Sequence, residues 1–197
     1  MSFLNESLLR EKSKVFKKRY ESLSFEYLVE SENQAQITVF LSHSHKDKEL
    51  VEGFIELLVE QGIYVYVDWN DSSIPRITNG KTARRIKERI VKLQLFFFLA
   101  TENALNSKWC PWELGVADSL KNWEDILIIP VADPSGQFKG NEYLQVYKHL
   151  ELVWNEEAYI VTPNFPKIGQ KLIILESTIQ EYGGTSLKDF IERRVEW

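Results

Sequence analysis

Short apolar runs alternate with stretches of helical periodicity through the middle of the chain. "QITVFLS" (36 to 42), "IYVYVDW" (63 to 69), "LQLFFFLA" (93 to 100) and "DILIIPVAD" (125 to 133) are each brief, mostly apolar and rich in Val, Ile, Tyr or Phe, the mark of strands buried on both faces. Between them apolar residues recur at helical spacing: Leu50, Phe54, Leu57 and Leu58 within 47–61, Ile86 and Ile90 within 81–92, and a third set within 109–122. The order βαβαβαβ predicts an α/β fold: a central parallel sheet with helices on both faces and a ligand crevice at the C-terminal ends of the strands.

The flanks are read differently. Residues 1–33 mix apolar positions (Phe3, Leu4, Leu8, Val15, Phe16, Leu23, Leu28) with basic ones between Arg10 and Arg19. They predict an N-terminal helical extension docked on the main domain or on a partner, rather than a membrane-surface helix, because Glu residues interleave. The main domain is expected over 34–197, with a C-terminal elaboration: a hairpin within 150–165 turning at 155–157, a helical stretch near 167–182, a break at Gly183-Gly184 and a last short helix.

Composition narrows the class. A chain of 197 residues, 44% hydrophobic and 27% charged, suits one domain with an appendage. Its net charge of −5 speaks against nucleic acid as a partner, since that binding needs a basic footprint. The single cysteine, Cys110, permits no internal disulfide, and no apolar run approaches the roughly 18 residues of a membrane span. The start carries no signal-peptide pattern. The expectation is a cytoplasmic protein that does not engage a membrane.

Three loop motifs suggest chemistry, and two of them fail on spacing. In "SHSHKDK", Ser42, His43, Ser44 and His45 stand where a parallel sheet presents ligands. With Cys110 and His149 as the remaining strong donors they make no zinc quartet, so no metal is expected. Ser44 also suits the cap of the helix that follows. The Gly80-Lys81-Thr82 of "DWNDSSIPRITNGKT" imitates a phosphate loop, with Asp133 as its distant metal strand. However, the required earlier glycine is Pro75, and no glycine lies between Asp68 and Asn79.

"SKWCPWELGVADSL" (107 to 120) is the third. Pro111 fits only a first helical turn, which starts a helix near Trp109 or Cys110 and puts Glu113 about one turn in. Glu113 then shares a face with Trp109, Val116, Ala117 and Leu120, so a carboxylate sits on an apolar stripe. A capping box would need a residue such as Ser or Asn three residues earlier, and that residue is Cys110. The carboxylate is better explained as aimed at a ligand. Cys110 reads as a small core residue rather than a nucleophile.

"VFLSHSHKD", "VYVDWND", "TARRIKERI" and "TENALNSKWCPWELGVA" together resemble the Toll/interleukin-1 receptor (TIR) domain, in the bacterial stand-alone form of Thoeris-type antiphage defence. The resemblance runs from about Ile37 to Asp133, and its most specific part is Ser107, Trp109, Cys110, Glu113 and Leu114. It implies a flavodoxin-like three-layer fold. It also implies an enzyme that breaks the nicotinamide–ribose bond of NAD, with Glu113 as the catalytic residue and NAD as substrate, no separate cofactor being needed. Ser42, His43, Ser44, Asp68, Trp69 and Trp109 are expected to line the NAD pocket, with Trp69 or Trp109 stacked on a ring. The product expected is a cyclic ADP-ribose-type or related signal that diffuses to a separate effector, and the active form is expected to self-associate through the 68–80 loop. The competing reading is a non-enzymatic TIR scaffold. Glu113 beside Trp109 weighs against it, because an adaptor has no use for a carboxylate on that stripe.

Overall fold

A computed structural model describes residues 3–20, 37–60, 65–66, 80–152, 158–161 and 185–192. Five parallel strands form the spine of the sheet: β2 (Ile37–Ser42), β3 (Val65–Tyr66), β4 (Leu95–Ala100), β5 (Ile126–Ala132) and β6 (Lys148–Leu152). Their spatial order is β3-β2-β4-β5-β6, and the register is in step, with Ser42 opposite Phe98 and Leu99 opposite Ile129. The expected hairpin is present: β6 pairs antiparallel with β7 (Ala158–Val161). It is not an edge, because β8 (Thr185–Ser186) adds a further antiparallel strand beyond it and leads into a short C-terminal helix, Leu187–Glu192. The helical stretch expected near 167–182 lies outside the described residues.

The N-terminal segment enters the sheet itself. Leu4–Asn5 forms β1, parallel to β5 with Leu4 opposite Val131, and leads into α1 (Glu6–Tyr20). Helix α1 packs along α2 (Lys48–Glu60), and the two backbones meet at Gly53. A Cβ there would stand 1.9 Å from the carbonyl oxygen of Leu9, so only glycine fits this crossing.

Side chains alternate across each strand and so divide the core in two. Val39, Leu41, Leu95, Phe97, Leu99, Leu127 and Ile129 face α1 and α2, where Leu9, Phe16, Phe54 and Leu58 meet them. Phe40, Phe96, Phe98, Ala100, Ile126 and Ile128 face the other layer, made of α3 (Gly80–Lys92) and the helix Cys110–Leu120, here α5, with α4 the single turn Glu102–Leu105. This is the α/β three-layer, flavodoxin-like arrangement with a central parallel sheet. Ser42 continues the parity of Phe40 and so belongs to the α3 and α5 side.

Candidate active site

The C-terminal ends of β2 and β4 carry the site. Helix α5 begins at Cys110 with Pro111 in its first turn, and Trp109 precedes it without a side-chain cap. Ser107 supplies the capping instead: its Oγ accepts from the backbone N–H of Trp109 at 3.1 Å and of Cys110 at 3.4 Å. Glu113 then lies within the first turn, where the positive end of the helix favours a carboxylate.

Glu113 is 9% exposed, and Ser42 Oγ donates to its Oε2 at 2.6 Å across a separation of 71 residues. Burial raises the carboxyl above the usual glutamate range, and the Ser42 hydroxyl opposes this only in part. Among the described residues no cation lies within ion-pair reach of it. Trp109 and Trp112 pack edge to face with ring centroids 5.1 Å apart, and Lys87 Nζ of α3 lies 5.8 Å from the Trp112 ring. The apolar stripe is shorter than the periodicity suggests. Val116 and Ala117 are buried, but Leu120, the last residue of the helix, is 52% exposed.

The other expected residues separate into groups. His43 is half-buried, and its Nδ1 donates to the Leu41 carbonyl at 2.8 Å, which leaves the lone pair on Nε2. Burial pulls the imidazole below its ordinary pKa, against the pull of the Leu41 carbonyl and the Asp47 charge. Ser44 is buried and caps the 3₁₀ turn His45–Asp47, accepting from Lys46 N–H at 3.4 Å, so the cap precedes a turn rather than α2 itself. Asp68 and Trp69 lie outside the described residues. Cys110 is buried beside Ser107 and Ser42, and burial pushes its thiol up to about 11, which suits a core side chain and not a nucleophile. Among the described residues no group of three or more His, Cys, Asp or Glu side chains is arranged to hold a metal ion. No described helix is long and apolar enough to cross a membrane.

One cluster was missed in the sequence. Asp47, 4% exposed, accepts from Thr101 Oγ1 and from Asn103 Nδ2, the latter at 2.6 Å. Asp47 reads in sequence only as a helix start, and its partners are 54 and 56 residues away. The available signal was three polar residues, Asp47, Thr101 and Asn103, each just past the end of an apolar strand.

Comparisons with known proteins bear on the family. The chain is 36% identical over 116 residues to the "Probable 3' cyclic ADP-D-ribose synthase ThsB'" of Bacillus cereus (strain MSX-D12), covering 57% of this chain and 59% of that protein. It is 30% identical over 92 residues to a Cytobacillus dafuensis protein whose name assigns it, provisionally, as the cyclic ADP-D-ribose synthase TIR2, covering 45% of this chain and 24% of that protein. The match therefore spans about three-fifths of one relative's length and a quarter of the other's. A solved 2-deoxyribosyltransferase from Bacillus psychrosaccharolyticus overlaps 60% of this chain and 88% of its own at 17% identity and TM-score 0.42, too distant to carry an argument. The family profile of the TIR domain matches residues 39–159, more than half of the chain, from within β2 to within β7, and the chain belongs to the TIR domain family.

Proposed function

We propose that this chain cleaves the nicotinamide–ribose bond of NAD and passes the ADP-ribosyl group to a hydroxyl or nitrogen of the same molecule or to water, yielding a cyclic ADP-ribose-type or related ADP-ribose signal. The observation that carries the reading is Glu113: a nearly buried carboxylate at the strand ends that, among the described residues, is held by one neutral donor and faces no cation. Such a group is costly unless a cationic ligand completes it. The names of the two relatives, both cyclic ADP-D-ribose synthases, support the same product class.

The chemistry needs only one anion. Nicotinamide is bound in NAD as a cationic pyridinium and departs as a neutral amine, taking the electron pair of the C–N bond, so no acid has to protonate it. Positive charge develops on the ribose as the bond breaks, and an ionised Glu113 lowers the energy of that oxocarbenium-like state. Ser42 fixes which way the carboxylate points. Trp109 and Trp112 would exclude water from one side of the site. Capture of the ribosyl cation by a hydroxyl of the adenosine ribose closes a ring and releases a proton; capture by water gives ADP-ribose and a proton.

Ionised Glu113 is the working form, and its carboxyl is raised by burial. Activity, as kcat/KM, therefore falls as pH drops through that raised value, earlier than for an ordinary glutamate. His43, with Ser44, Asp68 and Trp69, is proposed to line the substrate pocket. We further propose a cytoplasmic role in Thoeris-type antiphage defence, with the product read by a separate effector. Self-association through the 68–80 loop would complete the site. In that case turnover per subunit rises with protein concentration; flat specific activity over a hundredfold dilution would leave a single-subunit site.

The test is incubation of the purified protein with NAD, with products separated and resolved by mass. Release of nicotinamide with one equivalent of an ADP-ribosyl product supports the reading. No release at any concentration, with TIR–TIR assembly observed, favours the scaffold.

A further inference from the structure

We propose that Asp47 is a positioning residue for Glu113, clamping the segment after β4 onto the loop after β2 and so setting the Ser42–Glu113 contact. The activity arm of this inference rests on the NAD reading; its structural arm does not.

Both carboxylate oxygens of Asp47 are spent on the segment after β4: Oδ2 accepts from Thr101 Oγ1 and Oδ1 from Asn103 Nδ2. Each oxygen thus has its partner in that segment, and Asp47 is buried, so it acts through the residues it holds. Thr101 is in turn the cap of α4, its Oγ1 accepting from Ala104 N–H at 3.0 Å. Ser107 N–H donates to the Ala104 carbonyl at 3.1 Å, and Ser107 Oγ caps α5. An unbroken run of hydrogen bonds thus leads from Asp47 through Thr101, Ala104 and Ser107 to the helix turn that presents Glu113.

The same loop touches this segment twice. Ser42, where β2 ends, holds Glu113 itself, and Asp47, five residues on, holds Thr101 and Asn103. Two anchors fix a loop against rotation where one would act as a pivot. The choice of side chains fits, since a buried carboxylate needs directed donors and receives a hydroxyl and an amide.

The test uses Asp47→Ala, Asp47→Asn and a core variant on the opposite face, Phe16→Leu, with two readouts. The first is steady-state NAD turnover. The second is the reaction rate of the chain's single thiol, Cys110, with a disulfide reagent in the native state. Cys110 is buried at the first turn of α5, so its reactivity reports whether the segment stays seated. Asp47→Ala is expected to lower kcat about a hundredfold, the cost of a misplacement near 1 Å, with KM changed less than about threefold. Its thiol is expected to react at least about tenfold faster, as local opening exposes it.

Asp47→Asn keeps an acceptor for Asn103 and offers a donor to Thr101, and is expected to restore most of both. Phe16→Leu is expected to lower stability while leaving thiol rate and kcat near wild type. A thiol in Asp47→Ala as slow as in the wild type overturns the clamp. So does a rise in KM with kcat unchanged, which would make Asp47 a binding residue, or a failure of Asp47→Asn to rescue. If the wild type releases no nicotinamide, the NAD reading fails, and the thiol rates alone decide the clamp: faster only in Asp47→Ala upholds it, unchanged overturns it.

Discussion

Helices on opposite faces of one sheet each bury glutamates, and the fold treats them in opposite ways. On α2, Glu52 accepts from Ser13 Oγ at 2.9 Å with Lys17 Nζ at 3.6 Å and Lys48 Nζ at 3.9 Å, and Glu56, fully buried, has Arg19 Nη2 2.6 Å from Oε1. Arg19 thus answers the Glu56 charge at close range. Burial raises the Glu56 carboxyl all the same, against the Arg19 charge. On α5, Glu113 has a serine. Removing a charge from water is repaid by an opposite charge or by directed donors. The α1–α2 face supplies its own cations, whereas among the described residues the α5 face brings none to Glu113. A buried glutamate is therefore informative only together with what answers it.

The comparison can be broken by the same substitution on the two faces. Gly53→Ala drives a methyl into the Leu9 carbonyl at the α1–α2 crossing and is expected to cost about 1–3 kcal/mol, although alanine is the better helix former. In α5, Gly115 is exposed and a Cβ there meets nothing within 4 Å, so Gly115→Ala is expected to gain about 0.5–1 kcal/mol. Urea unfolding midpoints check both. Equal signs would show that the two helix layers are not packed as described.

A smaller effect separates the glutamates by pH. With its carboxyl raised, folded Glu113 keeps a proton that the unfolded chain has already lost, so its contribution to stability is most favourable below the unfolded value and falls as pH rises through the folded one. Glu113→Gln removes that penalty. The variant is expected to melt higher than the wild type at neutral pH, by about 2–4 °C if the gain is near 1 kcal/mol. The difference should vanish below pH 4. A variant that melts lower at neutral pH would mean that the carboxylate stabilises the fold. The least effect is expected from Glu49→Gln, whose carboxylate holds Arg10 at 2.8 Å and Lys17 at 3.0 Å on the surface. The Lys17 contact draws its carboxyl below the usual range, yet water and salt screen the pair, and thermal melts in molar salt should not distinguish variant from wild type.

Which features were legible in sequence follows from their range. The runs that became β2, β4 and β5 are apolar on both faces, and their ends fall within one or two residues of the expected positions, because burial dictates every side chain. Pro111 placed the start of α5, and the missing partner three residues before Glu113 showed that its carboxylate was not a cap. Contacts over long separations left nothing local that names their partners: the pairing of Leu4 with Val131, and the hydrogen bonds of Asp47 with Thr101 and Asn103. Leu120 shows the limit of periodicity, which says where a residue points on its helix but not whether a neighbour extends far enough to cover it.

The central claim is that Glu113, answered by Ser42 and by no cation among the described residues, serves a cationic substrate, while Glu56 is structural. The most direct measurement is nicotinamide release from NAD by wild type, Glu56→Gln and Glu113→Gln, each normalised to folded protein and assayed at the same concentration. Wild type and Glu56→Gln are expected to release nicotinamide within about twofold of each other, and Glu113→Gln at least about a hundredfold more slowly, the scale of losing an electrostatic group at the reacting centre. Release by Glu113→Gln at the wild-type rate, or an equal loss in Glu56→Gln, would contradict the account.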